Sequence, residues 1–159
     1  MKRAIGKNKP STCTCLNLRR AALAITKLYN RKLAPSRLTI GQYSLLGHIK
    51  FLGPISVSDL AGIIRLDRTT LVRNIKILEK EGLIIDVSQS GTRNRQLQLT
   101  DEGLKRYTTA ELLWKEAQAF MEQQLGQENL QKLTALLSDI EILESRGVAI
   151  SQLTKKTHS

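Results

Sequence analysis

At 159 residues, 41% hydrophobic and 25% charged, the chain has the size and balance of one globular domain with its own core. Its formal charge of +11 is unevenly placed: eleven Lys and Arg and no Asp or Glu precede Asp59, and from there on 14 basic residues balance 14 acidic ones. Apolar runs too short for a bilayer, with no signal-peptide core behind the basic N-terminus, argue against a membrane protein and for a cytoplasmic one with a polyanionic partner.

Residues 1–13 read as a flexible basic tail whose Lys2, Arg3, Lys7 and Lys9 are in reach of phosphates. Cys13 and Cys15 come next as Cys-Thr-Cys. The spacing is too short for a zinc ribbon, and His48 and His158, the only histidines, lack ligand spacing, so no metal site is expected. In a reducing compartment both thiols stay free. A redox switch is the sharper alternative, because neighbouring cations favour thiolate. Leu18, Ala21, Ala22, Ile25, Leu28, Tyr29 and Leu33 recur at helical spacing, which predicts a first helix from near Leu16 to Leu33 ended by Pro35 and Ser36. Thr39 opens a second, with Gln42 completing a capping box. Leu45, Leu46, Ile49 and Leu52 form its core face, and Gly53-Pro54 stops it. Ile55 starts a short strand.

The stretch SVSDLAGIIRLDRTTLVRNIKILEKEG, Ser56 to Gly82, organises the rest. Ser56 is an N-cap with Asp59 as the capping-box carboxylate, and Leu60, Ala61 and Ile64 recur at helical spacing. A break near Arg65 and Leu66 gives way to a new N-cap at Asp67. Leu71, Ile75 and Leu78 give the next helix a buried stripe. Its opposite face carries Thr69, Arg73, Lys76 and Lys80, with Thr70 and Ile77 beside them. A polar, basic helix face is most often only a solvated one; the hairpin behind it tips the balance. After Gly82 the period becomes two. Leu83, Ile85 and Val87 are assigned to one side of a strand, with Asp86 and Ser88 on the other. Gln89 to Thr92 form a turn, and Gln96 and Gln98 alternate with Leu97 and Leu99 on the way back. Helix, helix, then a hairpin with Arg93 and Arg95 at its tip is the order of a winged helix-turn-helix, with one helix for the major groove and a wing for the minor.

Thr100 caps a long helix, with Asp101 and Glu102 at its positive end, running through Leu104, Tyr107, Leu112, Leu113, Ala117, Phe120 and Leu125 to a break at Gly126. A last helix carries Leu130, Leu133, Leu137, Ile140 and Ile142 or Leu143. The expected fold is therefore mostly α with a small β-wing: 14–36 a dimerisation helix, 37–100 the winged helix-turn-helix, 101–145 further dimerisation helices, 146–159 a flexible tail. A winged domain cannot cover the apolar stripes of both terminal helices. A twofold dimer would cover them and set two reading heads about 34–36 Å apart, matching a palindromic site.

In LTIGQYSLLGHIKFLGPISVSDLA, LDRTTLVRNIKILEKEGLI and the closing LQLTDEG, the chain resembles the multiple-antibiotic-resistance regulator (MarR) family of bacterial transcription factors, from about Leu16 to Leu143. The resemblance implies a dimeric winged-helix repressor or activator whose DNA affinity a small phenolic or carboxylate ligand alters. Arg68, Thr69, Thr70, Arg73 and Asn74 match the family's recognition helix, and Arg93 its wing arginine. Gly91 stands where many members carry an acid that braces that arginine. The family's ligand cleft makes Tyr29, Tyr43 and His48 candidates by position, and the lack of carboxylates before Asp59 suggests an anionic aromatic ligand. Some branches sense oxidants near the first helix, which returns attention to Cys13 and Cys15.

The expected function is sequence-specific binding of double-stranded DNA by a homodimeric regulator, a repressor on this reading, released by a small aromatic or anionic ligand. Arg73 reads guanine, Thr69 or Thr70 meets a thymine methyl or phosphate, and Lys76, Lys80 and Arg95 hold phosphates. The alternatives are a redox-sensing regulator using Cys13 and Cys15, or a winged-helix module for RNA or protein contacts. No nucleophile-base set, carboxylate pair or glycine-rich phosphate loop recommends an enzyme, and no cofactor is expected.

Overall fold

The computed structural model describes residues 10–64, 68–89 and 94–156, with backbone alone at 68 and from 144 onward. The expected break at Arg65 and Leu66, the Asp67 cap, the hairpin tip from Ser90 to Arg93, the tail cations Lys2, Arg3, Lys7 and Lys9, and His158 lie outside the described residues. Six α-helices and one small antiparallel sheet make up the described part: α1 (Thr14–Leu33), a 3-10 turn (Ala34–Ser36), α2 (Ile40–Leu52), β1 (Ile55–Ser56), α3 (Val57–Ile64), α4 (Arg68–Lys80), β2 (Ile84–Asp86), β3 (Gln96–Leu99), α5 (Asp101–Leu125) and α6 (Gln127–Lys156). The chain forms two compact units, one ending at Ala117 and the other running from Gln118.

In the first unit the predicted caps set the helix starts. Thr39 and Gln42 form a reciprocal capping box at α2. At α3 the Ser56 hydroxyl accepts from the Asp59 amide at 3.0 Å. That hydroxyl in turn donates to the Asp59 carboxylate at 2.6 Å, rather than the carboxylate reaching the Ser56 amide as the sequence suggests. The Thr100 hydroxyl accepts from the Gly103 amide and donates to the Gly82 carbonyl, so one side chain starts α5 and ties it to the end of α4. That end is a Schellman cap: Leu83 N donates to Leu78 O, Gly82 N to Glu79 O, and Gly82 sits at φ 69, where a Cβ would be strained.

The sheet order is β1-β3-β2, so the short strand at Ile55 pairs with the returning wing strand, opposite Leu97. The other strand corrects the sequence. Ile84 pairs with Leu99 and is buried, whereas Ile85 pairs with Gln98 and is exposed, as is Val87. The strand phase is one residue off the expected one, because β3 already commits Gln98 to solvent and its neighbour must go with it. Leu45, Leu46, Ile49, Leu60, Leu71, Ile75, Leu78, Leu83 and Leu97 form the core with Tyr107 and Ala110 of α5. Gly103 lets α5 come this close, since a Cβ there would lie 2.0 Å from the Leu83 carbonyl oxygen. Leu52, expected in the core, is 46% exposed, because at the last position of α2 it borders an open cleft.

The second unit holds the end of α5 and all of α6. Gly126, at φ 80, breaks the chain between them. α6 runs to Lys156, through the stretch read from sequence as a loose tail beyond residue 145. That stretch contains no proline to stop propagation, and Val148, Ile150 and Leu153 continue an apolar rhythm. Leu133, Leu136, Leu137, Ile140 and Leu143 are all exposed on it. In the first unit α1 is similar: Leu33 is its one buried residue, and Leu16 and Leu23 face solvent.

Candidate nucleic-acid interface and effector cleft

The sequence of α4 makes a helix buried on one side only. Leu71, Ile75 and Leu78 have 0–2% exposure, which fixes the rotation of the helix and turns Thr69, Arg73, Lys76 and Lys80 outward. Thr69, Arg73 and Lys76 border one shallow hollow together with Val72. Arg73, Lys76 and Lys80 make no ion pair among the described residues. Thr70 and Asn74 flank this face half-buried. The backbone of Arg68 lies in the first turn; Arg93 lies outside the described residues.

Arg95 stands differently. Its Nε donates to Asp86 Oδ2 at 2.9 Å, and its guanidinium also donates to Glu79 of α4. The first contact joins the two wing strands; the second joins the wing to α4. Just past the end of α4, Arg106 of α5 donates to Glu81 at 2.5 Å.

A cleft of about 530 Å³ opens between α2 and α5, lined by Ile40, Tyr43, Ser44, Gly47, His48, Phe51, Leu52, Tyr107 and Trp114. Tyr43 is stacked between two rings, with Tyr107 at 5.1 Å and 13° and Trp114 at 6.1 Å and 30°. Burial, and then its hydrogen bond with Tyr107, raises the Tyr43 pKa above the ordinary tyrosine value, so the wall stays phenolic rather than phenolate. Tyr107 in turn donates to Glu111 at 3.4 Å, and Lys50 Nζ lies 4.5 Å from the Tyr107 ring centre. His48 Nδ1 lies 2.7 Å from the Ser44 carbonyl oxygen. A carbonyl only accepts, so Nδ1 is the donor of this pair, and in the uncharged tautomer Nε2 is an acceptor.

Of the sequence candidates for this cleft, Tyr43 and His48 line it and Tyr29 does not. Sequence reasoning missed Phe51, Tyr107 and Trp114. The last two are seven residues apart on one helix, a spacing that places both rings on one face. Cys13 is the N-cap of α1 and Cys15 lies in its first turn; both are exposed free thiols. Among the described residues no cluster of His, Cys, Asp or Glu is placed to hold a metal, and no helix is long and apolar enough to cross a membrane.

A sequence model of the MarR family matches residues 38–89, from the approach to α2 through the wing's first strand. The transcriptional regulator MosR of M. tuberculosis, solved in complex with DNA, is 31% identical with a TM-score of 0.70, over 82% of this chain and 97% of that one. The transcriptional repressor CouR, bound to a 23-mer DNA duplex, is 26% identical with a TM-score of 0.73, over 81% and 92%. YwoH of Bacillus subtilis (strain 168), an uncharacterized HTH-type transcriptional regulator, is 28% identical over 90 residues, or 57% of this chain. That match spans 66% of YwoH, just under two thirds of its length.

Proposed function

Because the chain belongs to the MarR family, we propose that it is a homodimeric regulator of transcription, acting as a repressor, that reads a palindromic operator in double-stranded DNA. The observation that carries this reading is α4: a helix locked by its buried stripe, with Thr69, Arg73 and Lys76 presented together and its cations unpaired among the described residues. It has the length to enter a major groove, where an arginine fork matches guanine O6 and N7 and a threonine meets a thymine methyl or a phosphate. Lys76 and Lys80 hold phosphates, and Arg68, Thr70, Asn74 and the wing's Arg93 complete the surface. MosR and CouR, the relatives solved on DNA, support it. The exposed Leu16 and Leu23 of α1 and the exposed stripe of α6 supply the dimer surface, and a twofold pair of heads calls for a palindrome. Arg73→Ala should cost about 1–3 kcal/mol on the preferred site and flatten discrimination there, whereas Lys80→Ala weakens all sequences alike. Unchanged discrimination by Arg73→Ala, measured by fluorescence anisotropy on matched and substituted duplexes, defeats the assignment.

The aromatic cleft favours a second element, control by a small ligand. No Lys, Arg, Asp or Glu lines the cleft, and Lys50 and Glu111, both beside Tyr107, offset each other, so the geometry supports an uncharged phenol more than the anionic aromatic that the charge distribution suggests. Its ring would lie beside Tyr43 and Trp114, and its hydroxyl would donate to His48 Nε2. Simple phenols should release the protein from DNA and benzoates should not; the reverse order sinks the idea. For redox control the observation is the exposed Cys13 and Cys15 pair at the start of α1. Peroxide-induced release from DNA that persists in a double serine variant rules it out. A winged module for RNA or protein is excluded when duplex DNA outcompetes RNA of the same sequence.

A further inference from the structure

The guanidinium of Arg95 sits where wing and recognition helix meet, and it is already spoken for. Arg95 immediately precedes β3, Asp86 ends β2, and Glu79 lies in the last turns of α4. The arginine donates to both carboxylates. Asp86 is a hub in its own right: Oδ1 accepts the Ser88 amide and the Gln96 amide, each at 3.0 Å, while Oδ2 takes Arg95 Nε. One carboxylate thus gathers donors from both strands of the wing, and one planar fork carries that assembly onto α4. With two negative groups on one positive, the cluster has a net charge of −1. Such a cluster at the root of a DNA-facing wing repels phosphate rather than recruiting it.

Resting on the DNA-binding reading, we propose that Arg95 is a positioning residue: with Asp86 and Glu79 it fixes the angle between the wing and α4, and it makes no phosphate contact itself. The backbone amides and the arginine hold the Asp86 carboxyl below the usual carboxylate range, and the two carboxylates hold Arg95 in its charged form, so the brace persists across the physiological pH range. The side chains of the cluster are 27–43% exposed, so their mutual attraction is screened, and what the cluster contributes is direction more than stability. Arginine suits the position and lysine does not, because only a planar fork reaches two carboxylates at a fixed angle.

The test compares wild-type, Asp86→Asn, Arg95→Gln and Arg95→Lys full-length proteins on one selected duplex, with affinity measured against salt. A brace predicts that Asp86→Asn weakens binding roughly two- to tenfold even though it removes a negative charge. Arg95→Gln should do the same without changing the salt slope, Arg95→Lys should fail to rescue, and the double variant should be no worse than the worse single. Hydroxyl-radical protection should fade where the wing lies and persist under α4. A phosphate contact predicts the opposite: Asp86→Asn binds more tightly, and Arg95→Gln lowers the slope of log K against log salt by about one. Either of those results overturns the proposal, as does unchanged affinity in Asp86→Asn. A variant that only loses folded protein shows a smaller active fraction with an unchanged footprint, which also counts against it. If wild type binds no duplex at all, the DNA-binding reading falls and takes this inference with it; if wild type binds and the variants match it, only this inference falls.

Discussion

Helices α4 and α6 carry the same kind of apolar stripe, and the chain treats the two in opposite ways. On α4, Leu71, Ile75 and Leu78 are sealed against α2, α3 and the wing by their own chain. On α6, Leu136 is 60% and Leu143 63% exposed, with Leu133, Leu137 and Ile140 open beside them. A stripe states that a helix is to be covered, not by what. Where the chain supplies the cover, the helix is fixed and its far face is presented outward, as the proposed reading surface. Where it does not, the stripe itself is the surface, and a second copy is the cover that the family reading provides.

The sharpest way to break this contrast is to empty the sealed side. Leu78→Ala should cost about 2–5 kcal/mol in urea unfolding at any protein concentration. The open side should behave otherwise. Leu136→Glu should leave helix content intact and weaken self-association by roughly tenfold or more, read by sedimentation over a concentration series. A Leu136→Glu variant that unfolds without dissociating first would erase the distinction. The smallest effect belongs to the cysteines. A Cys13→Ser, Cys15→Ser protein should match wild type in stability to within about 0.5 kcal/mol, because both thiols are exposed at the start of α1. A larger loss would mean that α1 depends on them.

Much of the winged domain was legible because local chemistry decides it. Thr39-Gln42, Ser56-Asp59 and Thr100 cap helices from within a few residues, and the stripe of α4 needs no distant partner to be recognised. The strand phase of Ile84, Ile85 and Val87 was not legible. Three apolar residues out of four admit either face, and the choice is made by pairing with Gln98 and Leu99 across the hairpin. The end of α6 differs from its reading for a related reason: polar residues suggest fraying, yet with no proline to stop it the helix continues through Gly147. The cleft was half legible. Tyr43 and His48 were placed by resemblance, but Tyr107 and Trp114 enter through packing of α5 on α2, which no spacing rule reports. Arg95 reads from the sequence as a phosphate ligand; the carboxylates of Glu79 and Asp86 folded against it, which motivate the bracing role proposed above, are brought there by tertiary packing that no local pattern reports.

The proposed regulator stands or falls on whether two copies of α4 read one symmetric stretch of duplex. Selection of bound fragments from a random double-stranded pool by the full-length protein measures this directly. A twofold reader enriches an inverted repeat whose half-sites lie one helical turn apart, and the enrichment is lost when Arg73→Ala replaces wild type. Enrichment of an asymmetric single site, or none beyond what Arg73→Ala also enriches, would contradict it.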